Sequence, residues 1–309
     1  MGFTVQNMAR TRGVRGASSA CALAAFVYLL TKSLLTAAVN LLMDANTPGA
    51  SLSSPTGFSV VTVELLQILV GIGSIVVPVG LLLSVTRLRP ADMNLARPAP
   101  WSPAFSLPVF LGVANAANLF GALVARLTDR QNTVAEIPAG GAELAVCFVT
   151  LCVVPPVTEE LLFRGAMQGL MRPCGSAAAI FAPALLFALL HLDLAQGITA
   201  FVCAVFLGWL AERTGSILPG ILLHFANNAI AFMTAYLTLY APENTALAVS
   251  LFVLIFFPLC ALWMLNQAHR QGLRWSAGMR PGVEALDVFS SPTYLAAVAF
   301  LVLLSLMRG

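Results

Sequence analysis

The stretch PPVTEELLFRGAMQGL, residues 155–170, places two adjacent carboxylates and an arginine in otherwise apolar surroundings. Glu159 and Glu160 are followed by Arg164, and long apolar runs flank the stretch on both sides. An ionisable side chain at membrane depth costs roughly 2.5–3.5 kcal/mol on insertion scales. Such side chains are retained where they pair with one another or carry a function, so this stretch guides how the surrounding chain is interpreted.

The composition is that of a membrane protein. The chain of 309 residues is 59% hydrophobic and 9% charged, whereas a soluble domain is about 25% charged. The mean hydropathy of +0.89 agrees. The net charge of +3 is small and gives no reason to expect a nucleic-acid partner. We therefore predict an all-α polytopic membrane protein that contacts lipids along most of its surface.

Apolar segments divide the chain into candidate spans, each needing about 20 residues to cross a bilayer. The candidates are residues 20–43, 58–86, 104–126, 143–171, 176–192, 197–212, 216–240, 246–266 and 291–307. They predict eight or nine transmembrane helices around a central catalytic bundle. The fourth contains Pro155 and Pro156, where we expect the helix to break or kink, so that the motif starts a new helical segment.

The distribution of arginines predicts the orientation of the helices, because cytoplasmic loops carry an excess of positive charge. Alternate segments carry Arg10, Arg12, Arg15, Arg87, Arg89, Arg97, Arg172, Arg213, Arg270, Arg274 and Arg280, and the segments between them carry only Arg126, Arg130 and Arg308. This pattern predicts a cytoplasmic N-terminus, and an external C-terminus if all nine segments span. Breaks in composition suggest three parts, residues 1–100, 101–240 and 241–309, with the catalytic core at about 140–235.

Polar residues of the central part are predicted to lie at similar depth. Glu159 lies 13 residues before Arg172, and His191 lies 15 residues after Ser176, so both are roughly 20 Å along their helices from one turn. Counting from the turn after Arg213 brings His224 and Asn228 to comparable depth. We therefore expect Glu159, His191, His224 and Asn228 to converge.

Spacing along the motif helix separates the two glutamates. Glu160 and Arg164 are four residues apart with the acid first, the favourable order for an ion pair, whereas Glu159 points about 100° away and lacks such a partner. Lys32 and Glu64 also lie in apolar segments, where snorkelling or a local pair explains them. Gly165 and Gly169 are spaced for close helix packing.

An unpaired carboxylate near two histidines and an amide suits activation of water for hydrolysis. The sequence contains no HExxH, GxSxG or GxGD motif, so the usual signatures of zinc, serine and aspartyl membrane hydrolases are absent. The remaining interpretation is a glutamate-dependent hydrolase without a metal. Glu159, His191 and His224 could alternatively supply three ligands to a zinc ion.

Three ordered motifs resemble the CAAX protease and bacteriocin-processing family of intramembrane glutamic endopeptidases, also called the Abi family. They are EELLFR at Glu159–Arg164, FALLH at Phe187–His191 and HFANN at 224–228, the last preceded by Pro219 and Gly220. The resemblance covers about residues 140–235. It implies that Glu159 activates water with His191 as its partner, and that His224 and Asn228 form the oxyanion site. It further implies that Glu160 and Arg164 orient the motif helix and that Phe187 shapes the pocket.

The expected function is therefore an intramembrane endopeptidase that cleaves a protein or peptide, possibly a lipidated one, without a cofactor. The expected location is a bacterial-type inner membrane. Two alternatives remain: a non-catalytic immunity or scaffold protein of the same family, and a proton-coupled transporter, because buried glutamate and histidine can relay protons.

Overall fold

The computed structural model describes residues 5–46, 58–128, 137–272 and 276–307, and within the first helix it describes side chains from residue 13 to residue 43. The described helices are α1 (Val5–Asn46), α2 (Val60–Val85), α3 (Pro103–Leu127), α4 (Gly141–Cys174), α5 (Ser176–Leu189), α6 (Leu194–Thr214), α7 (Leu218–Tyr240), α8 (Glu243–Arg270), α9 (Ala285–Phe289) and α10 (Pro292–Met307). No strand occurs within these ranges, so the prediction of an all-α fold is confirmed.

Seven of the described helices, α1 to α4 and α6 to α8, are long and apolar enough to cross a membrane. The apolar helices α5 and α10 are shorter, with 14 and 16 residues. Each of the nine predicted segments coincides with one of these nine helices. The chain is therefore an integral membrane protein with many large apolar side chains on its outer surface, as a lipid-facing bundle requires.

Helix α4 lies at the centre of the bundle and contacts α1, α2, α5, α6 and α7. Of the predicted break or kink at Pro155 and Pro156, the break is wrong, because helical backbone continues from Gly141 to Cys174. A π-helical turn at Val149–Val153 precedes the prolines, and a second one at Leu161–Met167 follows the glutamates. Since no helix begins at the motif, a helix N-terminus does not stabilise its carboxylates.

The segment between α2 and α3 packs into the bundle. Its backbone lies against the two glycines of the GxxxG motif: a Cβ atom on Gly169 would come 2.4 Å from the carbonyl oxygen of Asp92, and one on Gly165 would come 3.3 Å from that of Met93. These glycines therefore allow close packing of α4, as predicted, but the backbone that packs against them belongs to this loop and not to another long helix. Asn94 adds a hydrogen bond from its Nδ2 to the carbonyl of Arg164, at 3.0 Å.

The same loop also joins the turn between α6 and α7. The backbone N–H of Ile217 donates to the carbonyl of Asn94 at 2.9 Å, and the N–H of Ala99 donates to Thr214 at 2.8 Å. Nearby, the Arg172 side chain pairs with Glu212 at 3.1 Å. The division of the chain into three parts stays a prediction. The loop between α2 and α3 packs closely against the central part, residues 101–240.

Candidate active site

Glu160 and Arg164 form the buried ion pair that their spacing predicts. Nη1 of Arg164 lies 2.9 Å from Oε1 of Glu160, and the two side chains are 3% and 0% exposed. The guanidinium N–H bonds are not aligned with this contact, so charge attraction rather than a directed hydrogen bond holds the pair. The cation also lies over the ring of Phe187, 4.8 Å from its centroid, a favourable cation–π arrangement.

His224 lies between the two glutamates. Its Nδ1 is 3.2 Å from Oε1 of Glu160, and its Nε2 is 3.9 Å from Oε2 of Glu159. Glu160 therefore contacts His224 as well as Arg164. When the proton of the ring is on Nδ1, the carboxylate of Glu160 accepts it in a hydrogen bond, which fixes the plane of the imidazole. The opposite nitrogen of the ring then faces Glu159.

Glu159 and His191 line one cavity of about 570 Å³. The side chain of Glu159 is 18% exposed, in contrast to the fully enclosed Glu160 one residue later. The aromatic rings of Phe163 and Phe187 form part of the same wall. The structure thus separates the two carboxylates as the helical spacing predicts, with Glu159 on the cavity and Glu160 behind it.

His191 lies in the turn after α5, two residues beyond the end of the helix at Leu189, and not within a helix as its predicted span implied. Leu192 has a φ of 53°, and Asp193 caps the start of α6 by accepting the N–H of Gln196 at 2.7 Å. Nδ1 of His191 is 2.9 Å from the carbonyl oxygen of Phe187. In the neutral imidazole this bond places the proton on Nδ1 and leaves Nε2 as an acceptor.

The ring of Phe187 contacts both histidines and the guanidinium of Arg164. The His191 ring lies 4.9 Å from it and the His224 ring 6.3 Å, both edge-on, and Arg164 lies over its face. An aromatic ring in this position can hold two imidazoles and a guanidinium in fixed orientations without competing for their hydrogen bonds. The phenylalanine of the FxxxH motif is thus in contact with both histidines and with the arginine of the ion pair.

Asn228 lies one turn beyond His224 on α7, and its amide is engaged elsewhere. Nδ2 of Asn228 donates to the carbonyl oxygen of Leu151 at 3.1 Å. Pro155 and Pro156 follow Leu151 by four and five residues, so neither an α-helical nor a π-helical N–H can reach that carbonyl. The side chain of Asn228 therefore satisfies a backbone acceptor that the two prolines leave open.

Gly220 allows α7 to approach the ion pair closely. A Cβ atom at this position would come 2.8 Å from Oε2 of Glu160. That oxygen is buried and has no hydrogen-bond partner within the described residues. Any side chain at position 220 would have to displace Glu160, and with it the group that orients His224.

Residues of α1 form the other wall of the cavity, and the sequence did not assign them to the site. Tyr28, Lys32, Ser33, Thr36 and Asn40 line it. Their spacing on one face of an apolar helix was the available signal, since polar residues four apart on a membrane helix face a protein interior or a water-filled cavity more readily than lipid.

The expected convergence is therefore found for three of the four residues. Glu159 and His191 share the cavity, and His224 lies beside Glu159. Asn228 instead contacts the carbonyl of Leu151, earlier in α4 than Glu159. Among the described residues, no group of three or more His, Cys, Asp or Glu side chains is arranged to hold a metal ion.

The family model described as type II CAAX prenyl endopeptidase Rce1-like matches residues 141–230 of this chain. No curated protein and no solved structure matches the chain. The matched range holds Glu159, Glu160, Arg164, Phe187, His191, His224 and Asn228. The segment 141–230, with its cluster of glutamates and histidines around one cavity, therefore matches the CAAX protease family.

Proposed function

We propose that this chain is an intramembrane endopeptidase in which Glu159 activates a water molecule for attack on a peptide bond. The observation that carries the proposal is the shared cavity of Glu159 and His191, with Nε2 of His224 at 3.9 Å from the Glu159 carboxylate. A carboxylate on a cavity can hold a water, and a neutral imidazole on the same cavity can accept a second hydrogen bond from it. The family match supports the reaction class.

The proposed steps balance without a further reactant. Glu159 takes a proton from water as the water oxygen bonds to the carbonyl carbon of the substrate, which gives a tetrahedral oxyanion. The proton then passes to the amide nitrogen, the C–N bond breaks, and an amine and a carboxylic acid leave. In its protonated form His224 can donate from Nε2 to the developing oxyanion, because Glu160 holds Nδ1.

The predicted oxyanion role of Asn228 stays a prediction. One of its N–H groups serves Leu151, and the amide carries two. We further propose that the reaction needs no metal and that Glu160 is a positioning residue acting through His224.

The experiment that tests this function compares wild-type protein with the Glu159→Gln and His191→Ala variants. Newly formed peptide termini in the membrane proteome are counted in cells that express each protein. Because a general base contributes about 10²- to 10⁴-fold, we expect both variants to lose cleavage by at least that lower factor. Activity of the purified protein is expected to persist in the presence of a metal chelator.

Glu143→Gln is the matched control. Glu143 is an exposed carboxylate on the same helix as Glu159, near the start of α4, so it undergoes the same chemical change outside the cavity. Wild-type cleavage by Glu159→Gln would contradict the mechanism. A cellular phenotype that survives Glu159→Gln although no cleavage is detected would favour the immunity or scaffold alternative. Proton-coupled uptake lost together with Glu159 would favour the transporter.

We also propose that the substrate is a membrane-bound protein or peptide and that the N-terminus of the enzyme faces the cytoplasm of a bacterial-type inner membrane. Loops that carry arginines meet at one end of the bundle, where the N–H of Arg280 donates to the carbonyl of Cys174 at 3.0 Å and Ala99 contacts Thr214. Arg130, Arg274 and Arg308 lie outside the described residues, as do the side chains of Arg10 and Arg12.

A further inference from the structure

Lys32 is the only lysine of the chain, and it lines the cavity that holds Glu159 and His191. Its position in an apolar helix suggested snorkelling toward the membrane surface. Met43, at the nearer end of the apolar segment of α1, is 11 residues away, which is about 16 Å along the helix. The ammonium instead lies 5.7 Å from the ring centroid of Tyr28, one turn back along the helix, where Tyr28 lines the same cavity.

Helix α1 presents a continuous polar face to the cavity. Tyr28, Lys32, Thr36 and Asn40 follow one another at intervals of four residues, and all four line it. Residues at this spacing lie above one another on one side of a helix. This wall lies outside the matched family segment 141–230, so the cavity combines a catalytic side from α4 and α5 with a separate polar side from α1.

The charge of Lys32 is not neutralised by an ion pair with any described residue. Glu159 is the carboxylate among the described residues that line the cavity, and our mechanism reserves it for water. An unpaired ammonium at membrane depth is costly, and an anion that enters the cavity relieves that cost. Thus the cavity has a reacting carboxylate on one wall and an attractive cation on the other.

We propose that Lys32 binds a carboxylate of the peptide substrate and thereby sets which peptide bond lies against Glu159. This inference rests on the proposed peptidase function. Repulsion from Glu159 keeps the substrate anion on the α1 side, while Lys32 attracts it there, so the two charges orient the peptide. The carboxylate is either the C-terminus of the substrate or an acidic side chain near the cleaved bond.

The test uses fluorescent peptide libraries of mixed sequence, with purified protein in liposomes. Each library is made with a free C-terminal carboxylate or a C-terminal amide, and with or without one aspartate. For Lys32→Met we expect KM to rise about tenfold for libraries that carry a carboxylate, with kcat little changed and no effect on uncharged libraries. A rise in KM for peptides with a free C-terminal acid alone, or for aspartate peptides alone, identifies which carboxylate Lys32 binds.

Two further variants control for charge and folding. Lys32→Arg keeps the cation and is expected to restore most of the preference for carboxylates. Arg213→Met removes an exposed cation that lies over Trp209 at 5.9 Å, away from the cavity, and is expected to leave the preference unchanged. If Lys32→Met instead lowers kcat equally for all libraries, Lys32 acts on Glu159 or on the fold, and the inference is wrong.

Failure of the proposed function gives a different result. If wild-type protein cleaves none of the libraries, the peptidase assignment is in error, and equilibrium binding still decides the role of Lys32. Glu159→Gln protein is titrated with the free-acid and amide libraries, with and without Lys32→Met. Equal binding of acid, amide and aspartate libraries by the protein that retains Lys32 overturns the inference.

Discussion

Glu159 and Glu160 are neighbours in the chain, yet their side chains lie in different surroundings. Glu160 is enclosed by Arg164, His224 and the glycine of α7, whereas Glu159 faces a cavity that can hold water and substrate. Because successive residues on a helix point about 100° apart, one short motif can place a base in the cavity and a fixed anion behind it. His224 joins the two, with one nitrogen directed to each carboxylate.

The contact of Gly220 with Glu160 gives a prediction at this scale. In Gly220→Ala the added methyl group would come 2.8 Å from Oε2 of Glu160, so the carboxylate must move and His224 loses its fixed orientation. We expect kcat to fall about tenfold or more, with a smaller change in KM, because the displaced group acts in the reaction rather than in substrate binding.

Gly80→Ala is the matched control for this substitution. Gly80 lies within α2, where a Cβ atom would meet nothing within 4 Å. Alanine there should leave kcat unchanged, and it favours the helix by roughly 1 kcal/mol in intrinsic propensity. Wild-type kcat in Gly220→Ala would show that the position of Glu160 does not matter for turnover.

Helix α4 illustrates how a membrane helix tolerates two prolines in succession. The π-helical turn at Val149–Val153 precedes them, and Asn228 of α7 supplies the donor that the Leu151 carbonyl lacks. In the hydrocarbon core no water can donate a hydrogen bond to an unsatisfied carbonyl. The two prolines are therefore tolerated because Asn228 supplies the missing donor. The HxxxN spacing on α7 thus has a structural consequence besides any chemical one.

A double-mutant comparison separates these two consequences. Asn228→Ala leaves the Leu151 carbonyl without a donor, which we expect to reduce the free energy of unfolding by about 1–3 kcal/mol. Pro155→Ala restores a backbone N–H four residues after Leu151, so the double variant should regain much of that stability. The measurement is the midpoint of thermal unfolding in detergent for both single variants, the double variant and the wild type.

Cleavage by the double variant then reports on the chemical role of Asn228. Regained stability with low activity would favour the predicted oxyanion contact, and regained activity would show a structural role alone. If the two substitutions simply add, with no recovery of stability, the proposed dependence between Pro155 and Asn228 is contradicted.

The positions of the arginine-bearing loops between the apolar helices indicate how the whole molecule is oriented in the membrane. Turns that carry Arg89, Arg172, Arg213 and Arg280 belong to loops that contact one another at one end of the bundle. The α5–α6 turn that carries His191 lies at the opposite end of α5 from the Arg172 turn. The cavity therefore extends from Glu159 toward the end without these arginines, along the Lys32 face of α1.

Reporter fusions test this orientation. A fluorescent protein at the N-terminus is expected to fluoresce, because it folds in the cytoplasm. Alkaline phosphatase at the C-terminus is expected to be active, because it folds outside, provided that α10 spans. Its 16 residues are fewer than the ~20 of a typical span, so an inactive C-terminal fusion would mean that α10 lies in the interface. An inactive N-terminal reporter would contradict the predicted topology.

Local patterns in the sequence determined much of this protein. Apolar runs predicted eight or nine helices, and the spacing of Glu160 and Arg164 predicted their ion pair. The ordered motifs also identified which polar residues belong together. These features could be predicted because hydropathy and helical periodicity are properties of short segments.

Tertiary structure alone decided which faces of the helices meet. It brought Lys32 of α1 to the cavity, directed the two nitrogens of His224 to different glutamates, joined Asn228 to Leu151, and packed the Asp92 loop against Gly169. An apolar run of about 20 residues fixes that a helix spans the membrane, but it does not fix the rotation of that helix about its axis. That rotation follows from packing between segments far apart in the chain, which is why the cation of the cavity became visible only in the folded molecule.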